Sequence, residues 1–253
     1  MKLLDSLVIA FSTYSRIPMP QRTWDRENMR YVMCFFPLIG VVLGGLLYGF
    51  ARLAWQLELW VIYYIGGTLL PILVTGGIHM DGFLDVVDAR ASYGEREQKL
   101  EILKDPHVGA FAMIGCVSYL LLYLGIFTEL SSGYLLAFGV IPMWSRAFSG
   151  LAVVRFPKAK KSGLVAAFSD EAQKQVVSTS MCGYLVAGFG FLIWQLGFMQ
   201  AIFCLLVSGG VFWYYYRMSM REFGGITGDL AGYFLQIYEL VLLATLVVLS
   251  KIG

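Results

Sequence analysis

The chain of 253 residues alternates long apolar runs with short polar connections. A helix that crosses a membrane needs about 20 mostly apolar residues, and seven runs come close to that length. They cover residues 31–51, 57–78, 108–128, 133–154, 178–198, 200–216 and 230–250, of which 200–216 is the weakest. The pattern predicts an all-α protein: a polytopic helical bundle of about seven transmembrane helices in a single membrane-embedded domain, residues 1–253.

The first 20 residues form a weaker apolar segment. Apolar side chains recur at helical spacing at Leu4, Leu7, Val8, Phe11 and Tyr14. Asp5 interrupts the pattern, at a place where a signal peptide is basic, and prolines end it at Pro18 and Pro20. We therefore predict an N-terminal helix that lies in the membrane interface over residues 1–20.

Composition and charge place this bundle in a lipid bilayer. Hydrophobic residues make up 58% of the chain and charged residues 14%, against roughly 25% charged in soluble domains. All 19 Lys and Arg residues except Arg52 and Lys251 lie in the N-terminal arm or in the connections after the second, fourth and sixth runs. Because basic connections stay in the cytoplasm, we predict a cytoplasmic N-terminus in the cytoplasmic (inner) membrane. The net charge of +2 does not indicate a nucleic-acid partner.

Three aspartates follow the second apolar run. Asp81, Asp85 and Asp88 lie in the stretch TGGIHMDGFLDVVDAR, and offsets of four and three place them on one face of a helix. An unpaired charge at the bilayer centre costs roughly 2.5 to 3.5 kcal/mol, so these carboxylates need a neutralising partner. No run of Lys or Arg lies among them. The residues predict a hard divalent cation such as Mg2+, which takes oxygen ligands and often binds a substrate phosphate as well.

A fourth carboxylate and two histidines flank this region. Asp105 precedes the third apolar run and returns to the same membrane face, although a helix cap would have the same position. His79 and His107 each have the chemistry of a proton acceptor near neutral pH, and each equally suits a hydrogen bond at a helix end. The connection between the second and third runs predicts a short helix that ends near Asp105, before Pro106.

Candidate phosphate contacts lie in three later stretches. Arg146, at the end of the fourth run, is either a basic residue anchored at the interface or a guanidinium clamp for phosphate. The basic cluster RFPKAKKSG, residues 155–163, favours anionic lipid headgroups, with phosphate binding as the less favoured alternative. In GGITGDLAG, Gly225 and Gly228 beside Asp229 let backbone amides approach a phosphate, and a turn followed by close helix packing gives the same pattern.

These motifs occur together in one known family. TGGIHMDGFLDVVDAR, KLEILKDPHVGAF, the Ser145-Arg146 pair and GGITGDLAGYFLQIYEL, with FPLIG upstream, resemble in order and spacing the cobalamin synthase family, the adenosylcobinamide-GDP ribazoletransferases. The resemblance covers residues 36–240. Two positions depart from the family pattern: Ala89 stands where glycine is usual and is expected to alter only a turn, and Gln236 stands where glutamate is usual.

The resemblance implies a Mg2+-dependent membrane transferase of vitamin B12 biosynthesis. Such an enzyme joins adenosylcobinamide-GDP to α-ribazole, or to its 5'-phosphate, by displacement at the diphosphate, and releases GMP. On this interpretation the metal ligands are Asp81, Asp85, Asp88 and Asp105; Asp229 and His79 join them in catalysis; and Arg146, Gly225, Gly228 and His107 bind substrate. The active site would face the cytoplasm. The resemblance leaves open whether the protein forms a homo-oligomer.

Two other functions were weighed against this one. A CDP-alcohol phosphotransferase of phospholipid synthesis also uses membrane aspartates and Mg2+, but its DxxDGxxAR and GxxxDxxxD patterns are not matched here. A cation transporter would place polar residues near mid-membrane and show related halves, whereas these acids cluster at one face and no inverted repeat is evident.

Overall fold

The computed structural model describes residues 2–160 and 162–252, which are almost entirely helical. The helices, in chain order, are α1 (Lys2–Tyr14), α2 (Arg26–Met29), α3 (Phe36–Gln56), α4 (Trp60–Thr75), α5 (Ile78–Ala91), α6 (Arg96–Ile102), α7 (Ala110–Thr128), α8 (Leu135–Phe138), α9 (Ile141–Arg155), α10 (Leu164–Glu171), α11 (Lys174–Leu196), α12 (Phe198–Met218) and α13 (Gly228–Ile252). Short 3-10 turns precede α3 and α8, and a π-helical segment, Ser219–Phe223, continues α12. The described residues contain no strand, so the predicted all-α class is confirmed.

Six helical segments are long and apolar enough to cross a membrane. They are Val32–Gln56, Ala110–Thr128, Ser132–Arg155, Lys174–Leu196, Phe198–Phe223 and Gly228–Ile252. Helix α4 has 16 residues, about 24 Å at 1.5 Å per residue, which is short of a hydrocarbon core of about 30 Å. Counted with α5 as one broken span, it brings the total to seven. The prediction of a polytopic helical membrane protein is confirmed.

A glycine pair turns the chain sharply between α4 and α5. The two helices meet at an angle of 95°. Gly76 and Gly77 have φ of 66° and 80°, a conformation that glycine adopts freely and residues with a Cβ rarely adopt. The amide of Gly77 caps α4 by donating to the carbonyl of Ile72 at 2.9 Å. Helix α5, which carries the aspartates, therefore runs in a different direction from α4.

Helix α13 is the central helix of the bundle, and α3, α5 and α9 complete the interior. Helix α9 is buried over almost its whole length. Helices α7, α11 and α12 instead expose large apolar side chains such as Leu121, Val186 and Leu206. In a soluble protein these side chains would form an unfavourable surface, and here they suit contact with lipid.

The far end of α5 is held by a polar cluster. Glu222, in the π-helical segment, accepts two hydrogen bonds from the Arg90 guanidinium at 3.1 and 3.0 Å and one from Lys99 at 3.1 Å. Arg90 also donates to the hydroxyl of Tyr233 at 2.9 Å. These bonds join α5, α6, the end of α12 and α13, so that α5 is fixed at both ends.

The N-terminal helix belongs to the core on one side. It covers Lys2–Tyr14, within the predicted residues 1–20, of which Met1 lies outside the described residues. Ile9 and Phe11 are buried, whereas Leu4 is exposed. The ring of Tyr14 packs on Phe36 with centroids 4.5 Å apart. The predicted helix is present, and it packs against the bundle in addition to presenting an apolar surface outward.

Candidate active site

A polar cavity of about 290 Å³ lies at one end of the bundle, where α1, α5, α13 and the loop before α10 meet. Its polar lining includes His79 and Asp81 from α5, Thr227 and Asp229 at the start of α13, and Lys160 from the loop. These residues come from the connections that follow the second, fourth and sixth apolar runs. The structure thus brings three predicted stretches together at one end of the molecule.

Two glycines allow α5 and α13 to pack closely at this cavity. A Cβ at Gly82 would lie 2.8 Å from the Cα of Asp229, and one at Gly232 would lie 2.8 Å from the carbonyl oxygen of His79. Any larger residue would push the helices apart. The aspartate stretch and the distal glycine stretch are therefore neighbours, and the close packing places His79 and Asp229 on facing helices.

The N-terminus of α13 lies in the cavity wall. The Thr227 hydroxyl accepts the amide of Leu230 at 3.2 Å and donates to Oδ2 of Asp229 at 3.2 Å. Gly228 is exposed, and a Cβ built on it would meet nothing within 4 Å. The first amides of a helix have no helical acceptor and carry the positive end of its dipole. The predicted contact residue Gly228 therefore lies where an anion is favoured.

Gly225 has a different structural role. Its φ is 156°, and a Cβ there would lie 2.5 Å from the backbone of Lys158 and Ala159. The adjacent Ile226 donates its amide to the carbonyl of Pro157 at 2.8 Å and accepts the amide of Ala159 at 3.0 Å. The absence of a side chain at Gly225 admits this loop, so Gly225 contacts the loop backbone, and its predicted contact with substrate stays a prediction.

Four of the predicted carboxylates lie close enough to act on one another. Asp85 is within electrostatic range of Asp81, Asp229 and Asp88, and Asp229 is within range of Asp81. Across residues 2–160 and 162–252, no three His, Cys, Asp or Glu side chains form a group that could hold a metal ion. The donors are hard carboxylate oxygens, and Mg2+ usually binds through one or two carboxylates plus substrate phosphates. The donor set therefore fits Mg2+ that enters with a diphosphate, and it does not fit the predicted four-aspartate site.

Asp88, a predicted metal ligand, is engaged by α7. Its Oδ1 accepts the amide of Ala112 at 3.3 Å, and its carboxylate lies against Gly109. Gly109 is the N-cap residue of α7 and has no side chain with which to cap it. The carboxylate of Asp88 supplies that cap from a neighbouring helix. The sequence could not reveal this, because the cap and the helix are more than 20 residues apart.

Asp105 and His107 bind each other in the loop before α7. Oδ1 of Asp105 accepts the His107 amide at 2.9 Å and lies 2.6 Å from its Nδ1. The backbone amide first, and then the ring, lower the pKa of the Asp105 carboxyl. Both side chains are exposed, and neither lines the cavity. The predicted fourth metal ligand and the predicted substrate-binding histidine thus form a local turn.

Arg146 is buried away from the cavity lining. Its Nη1 donates to Oε1 of Glu239 at 3.0 Å and to the carbonyl of Pro142 at 2.8 Å, and Ser145 donates to the same Glu239 oxygen at 2.7 Å. Its exposed fraction is 1%. A charge buried this deeply needs a partner, and Glu239 is that partner. The predicted phosphate clamp is therefore an ion pair that joins α9 to α13.

His79 is the predicted histidine that reaches the cavity. It is 5% exposed, and its Nε2 has no hydrogen-bond partner within the described part of the chain. The ring stacks on Tyr14 with centroids 6.0 Å apart and meets Phe36 edge-on at 5.9 Å. These aromatic neighbours fix the ring while leaving one nitrogen without a bond.

Sequence reasoning missed several residues of the cavity lining, Tyr14, Ser149 and Lys160 among them. Tyr14 and Ser149 lie inside apolar stretches that indicated only packing, and Lys160 lay in a basic cluster assigned to lipid headgroups. The sequence carried one indication that Lys160 binds phosphate. It lies between Arg146 and GGITGDLAG, which were both candidate phosphate contacts.

The two departures from the family pattern lie inside helices. Ala89 is fully buried in α5, so the expectation that it alters only a turn is wrong. Gln236 is buried in α13, and its carbonyl oxygen lies 3.5 Å from the hydroxyl of Tyr119. Neither residue lines the cavity.

Comparisons with known proteins identify the family of the chain. The profile of the cobalamin-5-phosphate synthase family matches residues 6–247. Proteins named adenosylcobinamide-GDP ribazoletransferase are 45% identical in Lachnoclostridium phytofermentans (95% of this chain, 92% of that protein), 32% in Clostridium perfringens (91% and 92%) and 31% in Pseudomonas savastanoi pv. phaseolicola (88% and 90%). No solved structure matches the chain. The chain belongs to the cobalamin-5-phosphate synthase family.

Proposed function

We propose that this chain is an adenosylcobinamide-GDP ribazoletransferase and that the cavity at the start of α13 is its active site. Family membership makes the chain a membrane-bound transferase of late cobalamin biosynthesis. The observation that carries the assignment of the site is the meeting of Asp81, Asp229 and the N-terminus of α13 in one polar cavity of an otherwise apolar bundle. This family match favours the transferase over the CDP-alcohol phosphotransferase and transporter alternatives.

The proposed reaction is a displacement at phosphorus. A ribose hydroxyl of α-ribazole, or of its 5'-phosphate, forms a bond to the phosphorus that carries cobinamide. The bond from this phosphorus to the bridging oxygen breaks, and GMP leaves with the electron pair. Phosphoryl transfer of this kind depends on positioning and on neutralisation of charge more than on covalent catalysis.

Each cavity residue has a task in this reaction. The first amides of α13 bind phosphate oxygens, as helix N-termini commonly do. Asp81 and Asp229 would hold Mg2+ together with the diphosphate, and Asp85 adds negative charge beside them. Bound Mg2+ would neutralise the phosphate charge. His79 has a nitrogen without a partner and accepts the proton of the attacking hydroxyl.

We also propose that the cavity faces the cytoplasm, in the cytoplasmic membrane. All Lys and Arg residues except Arg52, Arg146 and Lys251 belong to the N-terminal arm or to the connections on the cavity side, which the positive-inside rule places in the cytoplasm.

Turnover by the purified protein in lipid vesicles tests the proposal. Adenosylcobinamide-GDP and α-ribazole are supplied with Mg2+, and both GMP and the cobalamin product are quantified. We expect the two products in equal amounts, with loss of turnover when EDTA removes Mg2+. Asp105→Asn is a matched control, because Asp105 is exposed and paired only with His107. Absence of both products from wild-type protein at every Mg2+ concentration would contradict the proposal.

A further inference from the structure

Among the described residues of the basic loop between α9 and α10, Lys160 is a cation without a bonded partner. Arg155 donates to the hydroxyl of Ser178 at 2.8 Å, and Lys158 pairs with Asp170. Within the described part of the chain, Lys160 makes no hydrogen bond or ion pair, although it is only partly exposed and lines the cavity. Lysine amines that lack a partner normally extend into water, so this placement requires an explanation.

The backbone holds Lys160 beside the N-terminus of α13. The two hydrogen bonds that Ile226 makes to Pro157 and Ala159 attach the loop directly to the segment that starts α13. Gly225 makes this approach possible, as its missing side chain leaves room for the loop. The position of Lys160 is therefore set by the same contacts that position the helix N-terminus.

The charge of Lys160 acts on the carboxylate side of the cavity. It is within electrostatic range of Asp85 and Asp229, yet it forms a close pair with neither. Its three N–H donors are thus available to another anion. The cavity is also lined by the apolar interior residues Phe36 and Leu235, which favours a ligand bound inside the protein over a lipid headgroup at its surface.

We infer that Lys160 is the cation that binds the diphosphate of adenosylcobinamide-GDP, in place of the Arg146 predicted from the sequence. This inference rests on the proposed function. The Lys160 ammonium and the first amides of α13 contact non-bridging phosphate oxygens. When the bond to the bridging oxygen breaks, its electron pair stays on the GMP phosphate, and the hydroxyl proton passes to His79. The ammonium stabilises the charge that builds up on the leaving phosphate.

Substitution of Lys160 tests this inference, with GDP as a probe that carries the diphosphate without cobinamide. We expect Lys160→Met to raise both the KM for adenosylcobinamide-GDP and the inhibition constant of GDP about 10- to 100-fold, the range of a hydrogen bond to a charged group. The KM for α-ribazole should not change. Lys160→Arg should restore most of the affinity for GDP, because it restores the charge.

Lys158→Met is the matched control, since Lys158 lies in the same loop but pairs with Asp170 outside the cavity. It should leave the inhibition constant of GDP near the wild-type value. A wild-type protein that turns over, with unchanged GDP inhibition in Lys160→Met, would overturn the inference and leave the proposed function intact. A wild-type protein that binds GDP through Lys160 but makes no product would overturn the proposed function alone.

Binding of Lys160 to lipid headgroups would give a different result. If Lys160→Met lowered turnover in vesicles with phosphatidylglycerol but not in vesicles of phosphatidylcholine, Lys160 would bind headgroups and the inference would be wrong. Loss of GDP affinity in both kinds of vesicle supports it. If Lys160→Met does not insert, Lys160→Gln is measured in the same way, because it retains a polar side chain of similar length.

Discussion

Two of the places where a cation lies near carboxylates differ in whether the charges are bonded. Arg146 and Glu239 are both buried and meet at 3.0 Å, with Ser145 completing the hydrogen bonds of the carboxylate. Lys160 lies near Asp85 and Asp229 without bonding to either, in a cavity of about 290 Å³. The bonded charges hold the helices together, whereas the unbonded charges are available to bind a ligand.

The largest effect should follow from breaking the bonded pair. Glu239→Leu would leave the Arg146 guanidinium buried without a carboxylate, at a cost of about 3 to 5 kcal/mol of stability. We expect this variant to insert poorly or to unfold at a much lower temperature in detergent. Arg146→Met combined with Glu239→Leu removes both charges and should recover much of the loss, because an apolar pair can replace a buried ion pair.

The double variant also tests the comparison itself. If Arg146 is only structural, the folded double variant should keep the wild-type KM for adenosylcobinamide-GDP. A folded double variant with a greatly raised KM would show instead that Arg146 reaches the diphosphate, as the sequence predicted, and the distinction between bonded and unbonded charges would fail.

The second-largest effect is expected from loss of the cavity carboxylates, which form no ion pair with Lys160. Asp81→Asn and Asp229→Asn each keep the shape of the side chain and remove a charge that would balance Mg2+. We expect turnover to fall about 100-fold or more at limiting Mg2+, which corresponds to about 2.7 kcal/mol of transition-state stabilisation. Stability should not fall, because both carboxylates lie among like charges. Wild-type turnover of both variants at limiting Mg2+ would exclude this metal site.

The third effect concerns the helix contact on which the site depends. Gly82→Ala places a Cβ against the backbone of Asp229, which cannot move as a flexible side chain would. We expect α5 and α13 to separate, with a loss of about 1 to 3 kcal/mol in stability and a marked drop in turnover. Gly228→Ala is the matched control, since its Cβ meets nothing within 4 Å. Equal stability of the two variants, measured by thermal unfolding, would contradict the close contact.

The sequence predicted the helices better than the side-chain contacts. All seven apolar runs correspond to helices, because burial in lipid requires long apolar segments whatever the fold. The 95° bend at Gly76 and Gly77 was not predicted, since two glycines indicate flexibility but no direction. The weakest run, 200–216, lies within the longer helical segment Phe198–Phe223. The polar end of this segment bonds to α5 and α6, a contact that the sequence did not predict.

The sequence predicted the site residues that belong to local motifs. It gave the wrong role to residues whose function depends on a partner far away in the chain. Asp81 and Asp229 were predicted from their motifs, and both line the cavity. Arg146 was assigned to phosphate because its partner, Glu239, is 93 residues away in the chain. Lys160 was assigned to lipid because the pairing of Lys158 with Asp170, which distinguishes the two lysines, exists only in the folded chain.

The smallest effect is expected at Asp88, whose carboxylate is bonded like that of Glu239 but at a helix end. Asp88→Asn keeps an acceptor for the Ala112 amide and removes the charge favoured at the N-terminus of α7, a loss of about 0.3 to 1 kcal/mol. The Mg2+ concentration for half-maximal turnover should stay near the wild-type value, whereas Asp81→Asn should raise it. If a Mg2+ titration showed equal increases in the two variants, Asp88 would have to leave α7 when substrate binds, and the predicted three-aspartate site would form only in the complex.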